Sequence, residues 1–329
     1  MENHISLLLV VLPLLIAPVV AVLPRGRWPW AVTLIVTTTC AVLAGMQLWM
    51  VVDEGVISYA LGGWAPPLGI EFRIDALNAF VALIVASIAA IALPYALLSA
   101  EREIPEEKIP LFYSALLLCL TGLLGITQTG DIFNVFVFLE ISSLASYALI
   151  SLGKDRQAFT SAYQYLIMGT IGATFIIIGV GLMYMMTGTL NMYDLAERLP
   201  EVHNSRTVLS AIGFFIVGVC LKLALFPLHL WLPNAYAFAP SIATAFLAAT
   251  STKVAVYVLI RFIFSVVGPE FANTVLPLQE IFVVLGITGI FATSISAIYQ
   301  LNIKRLFAYS SVAQIGYMIL ALAIGTPLG

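Results

Sequence analysis

The chain has 329 residues, of which 61% are hydrophobic and only 9% charged, and its mean hydropathy is +1.06. An ordinary soluble domain carries roughly 25% charged residues, so this composition excludes a water-soluble globule. The formal net charge of −3 and the lack of any like-charge run exclude nucleic acid or an anionic surface as the obvious partner.

Apolar runs bounded by polar or Gly/Pro punctuation fall in chain order at 5–23, 29–52, 76–99, 110–129, 132–152, 158–186, 208–232, 240–267, 278–299 and 304–325. Each is about the ~20 residues needed to cross a bilayer and is too long for a barrel strand. They predict an all-α integral membrane protein of about ten transmembrane helices, multi-pass in the cell (plasma) membrane. The opening Met-Glu-Asn-His lacks the basic region of a signal peptide, so the first run is expected to be a helix of the protein.

Placing the N-terminus outside puts Arg25, Arg27, Arg102, Lys108, Lys154, Arg156, Lys304 and Arg305 in cytoplasmic loops, leaving Arg73, Arg198 and Arg206 outside. Eight against three fits the positive-inside rule. On that orientation the polar stretches 53–75 and 187–207 are expected to form ordered outer surface.

Leu139-Glu140-Ile141-Ser142-Ser143-Leu144-Ala145 in the fifth run echoes Phe307-Ala308-Tyr309-Ser310-Ser311-Val312-Ala313 in the tenth. Transporters are often built from such repeats, although small residues in apolar helices also coincide by chance. Taken as a repeat, the echo divides the chain into three segments. Residues 1–104 hold the first three helices, 105–275 a five-helix repeat, and 276–329 the incomplete start of a second, as in a truncated or fragmentary chain.

Glu140, Lys222 and Lys253 lie near the centres of their runs, where each charge costs about 2.5–3.5 kcal/mol on insertion scales. They are therefore expected to face one another, a partner or water, as ion-conducting groups do. The alternative is a buried ion pair that only fixes helix packing, or a lysine that satisfies unpaired carbonyls. Helical spacing places Glu140, Ser143 and Tyr147 on one face and Thr250, Lys253, Tyr257 and Arg261 on another. Arg261, near a helix end, is more simply an anchor.

Lys222 is followed by Pro227, His229, Pro233 and Pro240. Pro227 removes a backbone donor in mid-span, which predicts a kinked or broken helix with open carbonyls around Leu223, beside the charge. If the helix continued, His229 would share the face of Lys222 and be a candidate relay; a satisfied packing histidine fits equally. In the tenth run Ser310, Gln314 and Tyr317 share a face, with Lys304 at its start as an anchor or a further relay.

Cys40, Cys119 and Cys220 sit singly in apolar runs with no CxxC spacing, and no Gly-rich nucleotide loop is present, so no cofactor or metal of its own is expected.

These residues carry a resemblance. Gly130-Asp131-Ile132-Phe133-Asn134 through Leu139-Glu140, Leu221-Lys222 through Phe226-Pro227-Leu228-His229-Leu230-Trp231-Leu232-Pro233, Thr252-Lys253-Val254, and Ile303-Lys304-Arg305 through Ser310-Ser311 resemble the antiporter-like membrane subunits shared by Mrp-type Na⁺/H⁺ antiporters and respiratory complex I. The resemblance implies a proton-handling pair at Glu140 and Lys222, with Lys253 passing protons along the midplane. Since the protonation of a buried amine depends on how near a carboxylate lies, movement of Glu140 would load or release a proton at Lys222. It also implies about fourteen spans in a full member, and other hydrophobic subunits as partners. Tyr236 stands where several complex I members have histidine, a departure that looks more like the D-type subunit of Mrp antiporters.

The favoured reading is thus a membrane subunit of a multisubunit cation (Na⁺)/proton antiporter, an ion transporter subunit and not an enzyme. Two alternatives stay open: a proton-pumping membrane subunit of a redox complex such as NADH-quinone oxidoreductase or a membrane-bound hydrogenase, and a purely structural assembly subunit.

Overall fold

A computed structural model describes residues 4–274 and 277–324 of the chain. Its helices are α1 (Ile5–Val22), α2 (Trp28–Glu54), α3 (Ala76–Glu103), α4 (Ile109–Gln128), α5 (Ile132–Ser151), α6 (Arg156–Thr187), α7 (Met192–Val202), α8 (Arg206–Leu223), α9 (Trp231–Phe238), α10 (Ser241–Arg261), α11 (Pro269–Thr274), α12 (Leu278–Ile298) and α13 (Ile303–Ile324). Ten helical stretches among the described residues are long and apolar enough to cross a membrane, matching the ten expected runs. The chain is a multi-pass membrane protein, mostly helical.

The chain forms two compact units, one running through Leu166 and including Phe238–Val254, the other comprising Ile167–Ala237 and the chain from Ala255 onward. In the first unit the stretch between α2 and α3 folds as an antiparallel hairpin of β1 (Ile57–Ala60) and β2 (Glu71–Ile74), pairing Ile57 with Ile74 and Ala60 with Glu71. Its inner side chains, Phe72 and Ile74, are buried with Val10, Val51 and Ala79. Glu71 is buried, and its carboxylate accepts a 2.5 Å hydrogen bond from the Ser58 hydroxyl. The hairpin runs into α3 through a capping box in which the Asp75 carboxylate accepts from the Asn78 amide and Asn78 Oδ1 accepts from the Asp75 amide.

Beside this hairpin, a polar cluster ties α1, α2 and α4 together. The Gln47 and Gln128 amides bond each other reciprocally at 2.6 and 3.1 Å, and Gln47 Nε2 also donates to Ser6 Oγ at 2.9 Å. Apolar packing gives no preference between helices when lipid tails compete for the same surface, so such interhelical bonds help specify which helices meet.

Helix approach in both units depends on glycine. A Cβ on Gly122 of α4 would lie 2.6 Å from the Ser142 amide nitrogen of α5, and one on Gly218 of α8 would lie 2.6 Å from the Gly172 carbonyl oxygen of α6. At these points backbones touch with no room for a side chain.

In the second unit the polar stretch after α6 contains a helix, α7, started by Asn191, whose side chain accepts from the Tyr193 and Asp194 amides. It lies against Phe262–Val267, which is π-helical. The Arg198 side chain closes this region by pairing with Asp194 at 2.9 Å and donating to the Thr187 carbonyl. The expectation of ordered surface there is met, though by a helix that the polar composition did not announce.

Candidate functional site

Within the first unit, Glu140 projects from α5. The Gly130-Asp131 motif is the start signal of that helix: the Asp131 carboxylate accepts a 2.8 Å bond from the Asn134 amide, and Asn134 Nδ2 donates to Thr129 Oγ1. The hairpin holds the same corner, because the Gly130 amide donates to the Glu71 carbonyl at 2.8 Å and Phe72 bridges to Thr129. Glu140 is half-buried, while Ser143 and Tyr147 on the expected common face are buried. Tyr147 meets Tyr165 edge-on at 4.6 Å between ring centroids. The polar stripe read from the spacing therefore faces inward.

Lys253, on α10 in the same unit, is half-buried, and its ammonium donates to the Ala248 carbonyl at 2.6 Å and to Thr252 Oγ1 at 3.4 Å. Its charge is thus met by polar oxygens of its own helix. Farther along, Arg261 stacks over the Tyr257 ring at 5.5 Å and donates to the Ser265 hydroxyl, the behaviour of an anchored cation.

The start of α10 shows a feature the sequence did not reveal. Glu103, at the end of α3, accepts from both the amide and the hydroxyl of Ser241 at 2.8 and 3.0 Å, and its other oxygen accepts from Ser99. A carboxylate at a helix amino end satisfies orphan N–H groups and complements the helix dipole. Glu103→Ala is expected to cost about 1–2 kcal/mol, with Glu103→Gln intermediate; the midpoint of thermal unfolding in detergent measures it. Unchanged melting of Glu103→Ala would show that the cap contributes nothing.

In the second unit Lys222 is 5% exposed and sits in the last turn of α8. A cation there is favoured by the carboxyl end of the helix dipole. Gly172 of α6 lets the neighbouring backbone approach the lysine stem, its Cβ position lying 3.7 Å from Lys222 Cγ. The expected break is present. Helix α8 stops at Leu223, Ala224 turns left-handed (φ 60°, ψ 43°), and α9 starts only at Trp231.

One expectation about this break is corrected, and one condition is not met. The carbonyls beside Lys222 are not all open: Leu225 N donates to Cys220 O at 3.0 Å, and Trp231 Nε1 reaches back to Leu221 O at 3.2 Å. Nor does His229 share a helical face with Lys222, because residues 224–230 are non-helical. His229 is instead buried against the Phe226 ring at 5.3 Å and edge-on to Tyr309 of α13 at 6.3 Å.

The start of α13 also reaches the segment after the break. Asn302 caps that helix by accepting from the Lys304 and Arg305 amides, and Arg305 Nη2 donates to Asn234 Oδ1 of α9 at 2.5 Å. The sequence reads Lys304 and Arg305 as anchors, with Lys304 also a candidate relay, and does not show this bond, since a contact 71 residues away leaves no periodic mark. Ser310 is half-buried, whereas Gln314 and Tyr317 are exposed.

Ten candidate membrane-crossing helices among the described residues, with Glu140, Lys222 and Lys253 among the ionisable groups they carry, define a multi-pass membrane protein. Residues 129–329 match the family model described as NADH:quinone oxidoreductase/Mrp antiporter, transmembrane, and the chain belongs to this family.

The N-type subunit of NADH-quinone oxidoreductase from Desulforudis audaxviator is 42% identical over 331 aligned residues, covering 100% of this chain and 65% of that protein. The D-type subunit of the Na⁺/H⁺ antiporter of Alkalihalophilus pseudofirmus is 31% identical, covering 86% of this chain and 57% of that protein. Among solved structures, the archaeal membrane-bound sulfane sulfur reductase superposes with a TM-score of 0.88 at 31% identity, over 97% of this chain and 65% of that one. The Mrp complex of Dietzia sp. gives 0.87 at 27%, over 98% and 59%.

The chain therefore spans 65% or less of the length of each of these relatives. The family resemblance read from the motifs is borne out. Its finer form, a particular likeness to the D-type antiporter subunit, is not the one these identities favour. The relatives named are components of multisubunit membrane complexes.

Proposed function

We propose that the chain is a proton-translocating membrane subunit of a respiratory-type complex, driven by redox chemistry on other subunits. The observation that carries this reading is the 42% identity with the N-type oxidoreductase subunit along the whole chain, against 31% with the D-type antiporter subunit. Glu140, Lys222 and Lys253 are the proposed proton carriers, with His229 as a relay. Their assignment is supported by the cost of placing charge in mid-span, about 2.5–3.5 kcal/mol each, which is difficult to account for without a use. Glu140 and Lys222 are the proposed groups that take up and release the proton: burial disfavours the charged form of each, so a change in the charge around either one moves the proton on. The proposed orientation, N-terminus outside, follows the excess of Lys and Arg in alternate loops.

A second reading, proton exchange against Na⁺ or another monovalent cation, is supported by the 0.87 superposition on the Mrp complex. Partner identity separates the two. Extraction from the native membrane in mild detergent, followed by mass spectrometry of the co-purifying chains, is expected to return flavin- or iron–sulfur-bearing subunits. Small hydrophobic subunits alone would overturn the redox reading in favour of the antiporter.

A further inference from the structure

The first unit also holds a cavity of about 490 Å³ where four spans end together. Arg25 and Arg27, in the turn between α1 and α2, line it together with Glu101 from the last turns of α3 and Glu106 from the α3–α4 connection. Tyr113, one turn into α4, forms its inner wall. That tyrosine is 1% exposed, and its hydroxyl is buried with no hydrogen-bond partner. Glu101 and Tyr113 line the same space.

The cavity is unusual in its electrostatics. Two guanidinium groups and two carboxylates line one space, yet among the described residues none of these four side chains makes a hydrogen bond or an ion pair. Opposite charges that share a cavity without pairing leave room for a guest carrying both signs. Its volume falls in the ~300–1,000 Å³ range of small-molecule sites. Helices α2 and α4 begin beside it at Arg27 and Lys108 without side-chain caps, so their amino ends add to the attraction for an anionic group.

We infer that this cavity holds the headgroup of a zwitterionic phospholipid bearing a primary ammonium, that is, phosphatidylethanolamine chemistry. Arg25 and Arg27 engage the phosphate, Glu101 and Glu106 take the ammonium, and the Tyr113 hydroxyl supplies the remaining hydrogen bond. The position favours a bilayer lipid as the source, since the cavity lies where the membrane-crossing helices α1 to α4 end, and apolar Leu97 lines it for the glycerol end. The balanced lining argues against an anionic lipid or free phosphate, which the two carboxylates would repel; anionic-lipid sites carry clusters of roughly 4–8 basic residues. A choline headgroup matches the charge but offers no N–H donor to the carboxylates.

The test uses the protein in its native complex, stripped of lipid by detergent exchange. It is then reconstituted in nanodiscs containing equal amounts of isotopically distinct phosphatidylethanolamine, phosphatidylcholine and phosphatidylglycerol. Native mass spectrometry of the released complex reads the retained lipid. Phosphatidylethanolamine is expected to be enriched about tenfold over the other two, the gain from one or two charge-assisted hydrogen bonds. Arg27→Ala and Tyr113→Phe are each expected to abolish that enrichment. Should Tyr113→Phe fail to assemble, Glu101→Gln, at an exposed helix end, reads the same preference without touching the inner wall. Equal retention of the three lipids by the wild type, or enrichment unchanged in Arg27→Ala and Glu101→Gln, would overturn the inference.

Discussion

Replacing Glu140 with glutamine is expected to abolish proton translocation while leaving the complex assembled. Glutamine preserves the size and much of the hydrogen-bonding capacity of the side chain but cannot take up or release a proton. A positioned proton-transfer group contributes about 10²–10⁴-fold, so the loss should be roughly a hundredfold or more. The half-buried setting of Glu140 on α5, flanked by buried Ser143 and Tyr147, leaves little surface for another titratable group to stand in. Proton uptake into inverted vesicles reads the transport, and native gel electrophoresis reads assembly. A Glu140→Asp variant should recover part of the activity. The competing assembly-only reading predicts the reverse pattern: Glu140→Gln would release subunits, and whatever complex remained would transport normally.

An equally severe effect is expected at Gly122, where no charge is involved. A Cβ at this position on α4 would lie 2.6 Å from the Ser142 amide nitrogen and 2.7 Å from the Phe138 carbonyl oxygen, both backbone atoms of α5. Backbone cannot rotate away as a long side chain can, so α5 must move. Overpacking of this kind costs about 1–3 kcal/mol for small additions, and Gly122→Val should exceed Gly122→Ala. Because α5 carries Glu140 two residues before Ser142, the same substitution should lower transport as well as the melting temperature. Gly181→Ala on α6 is the control, since a Cβ there meets nothing within 4 Å. It should be neutral or stabilise the helix by up to about 1 kcal/mol. Equal melting of Gly122→Val and the wild type would show that α4 and α5 are not held by this approach.

Much of this architecture was legible before the structure. Hydrophobic length alone located the ten spans, because the bilayer imposes one helix length on every crossing. Pro227 announced the break after α8, because a missing amide donor is written in the residue itself. The β1–β2 hairpin and α7 were visible only as polar, ordered stretches. A four-residue strand pair and a helix with Pro200 inside it are too short for periodicity to separate them from loop.

The candidate site rests on residues the sequence already singles out, whereas their surroundings were less legible. Glu140, Lys222 and Lys253 stood out because intramembrane charge is rare. His229 would share the face of Lys222 only in a continuous helix, and residues 224–230 turn instead. Glu103 capping α10, Arg305 bonding Asn234 and the Gln47–Gln128 pair join residues far apart in the chain. Such pairings are set by how helices pack, and no local pattern encodes them.

The central claim is that redox-driven protons pass through the mid-span residues of this chain. It is tested most directly in inverted vesicles carrying the intact complex, by following lumen acidification on addition of electron donor and acceptor in sodium-free medium, with wild type and Lys222→Met side by side. The account predicts acidification that needs electron transfer, does not need sodium, and is lost in Lys222→Met while electron transfer on the partner subunits continues. Acidification that persists in Lys222→Met, or proton movement that appears only when a sodium gradient is imposed, would contradict it.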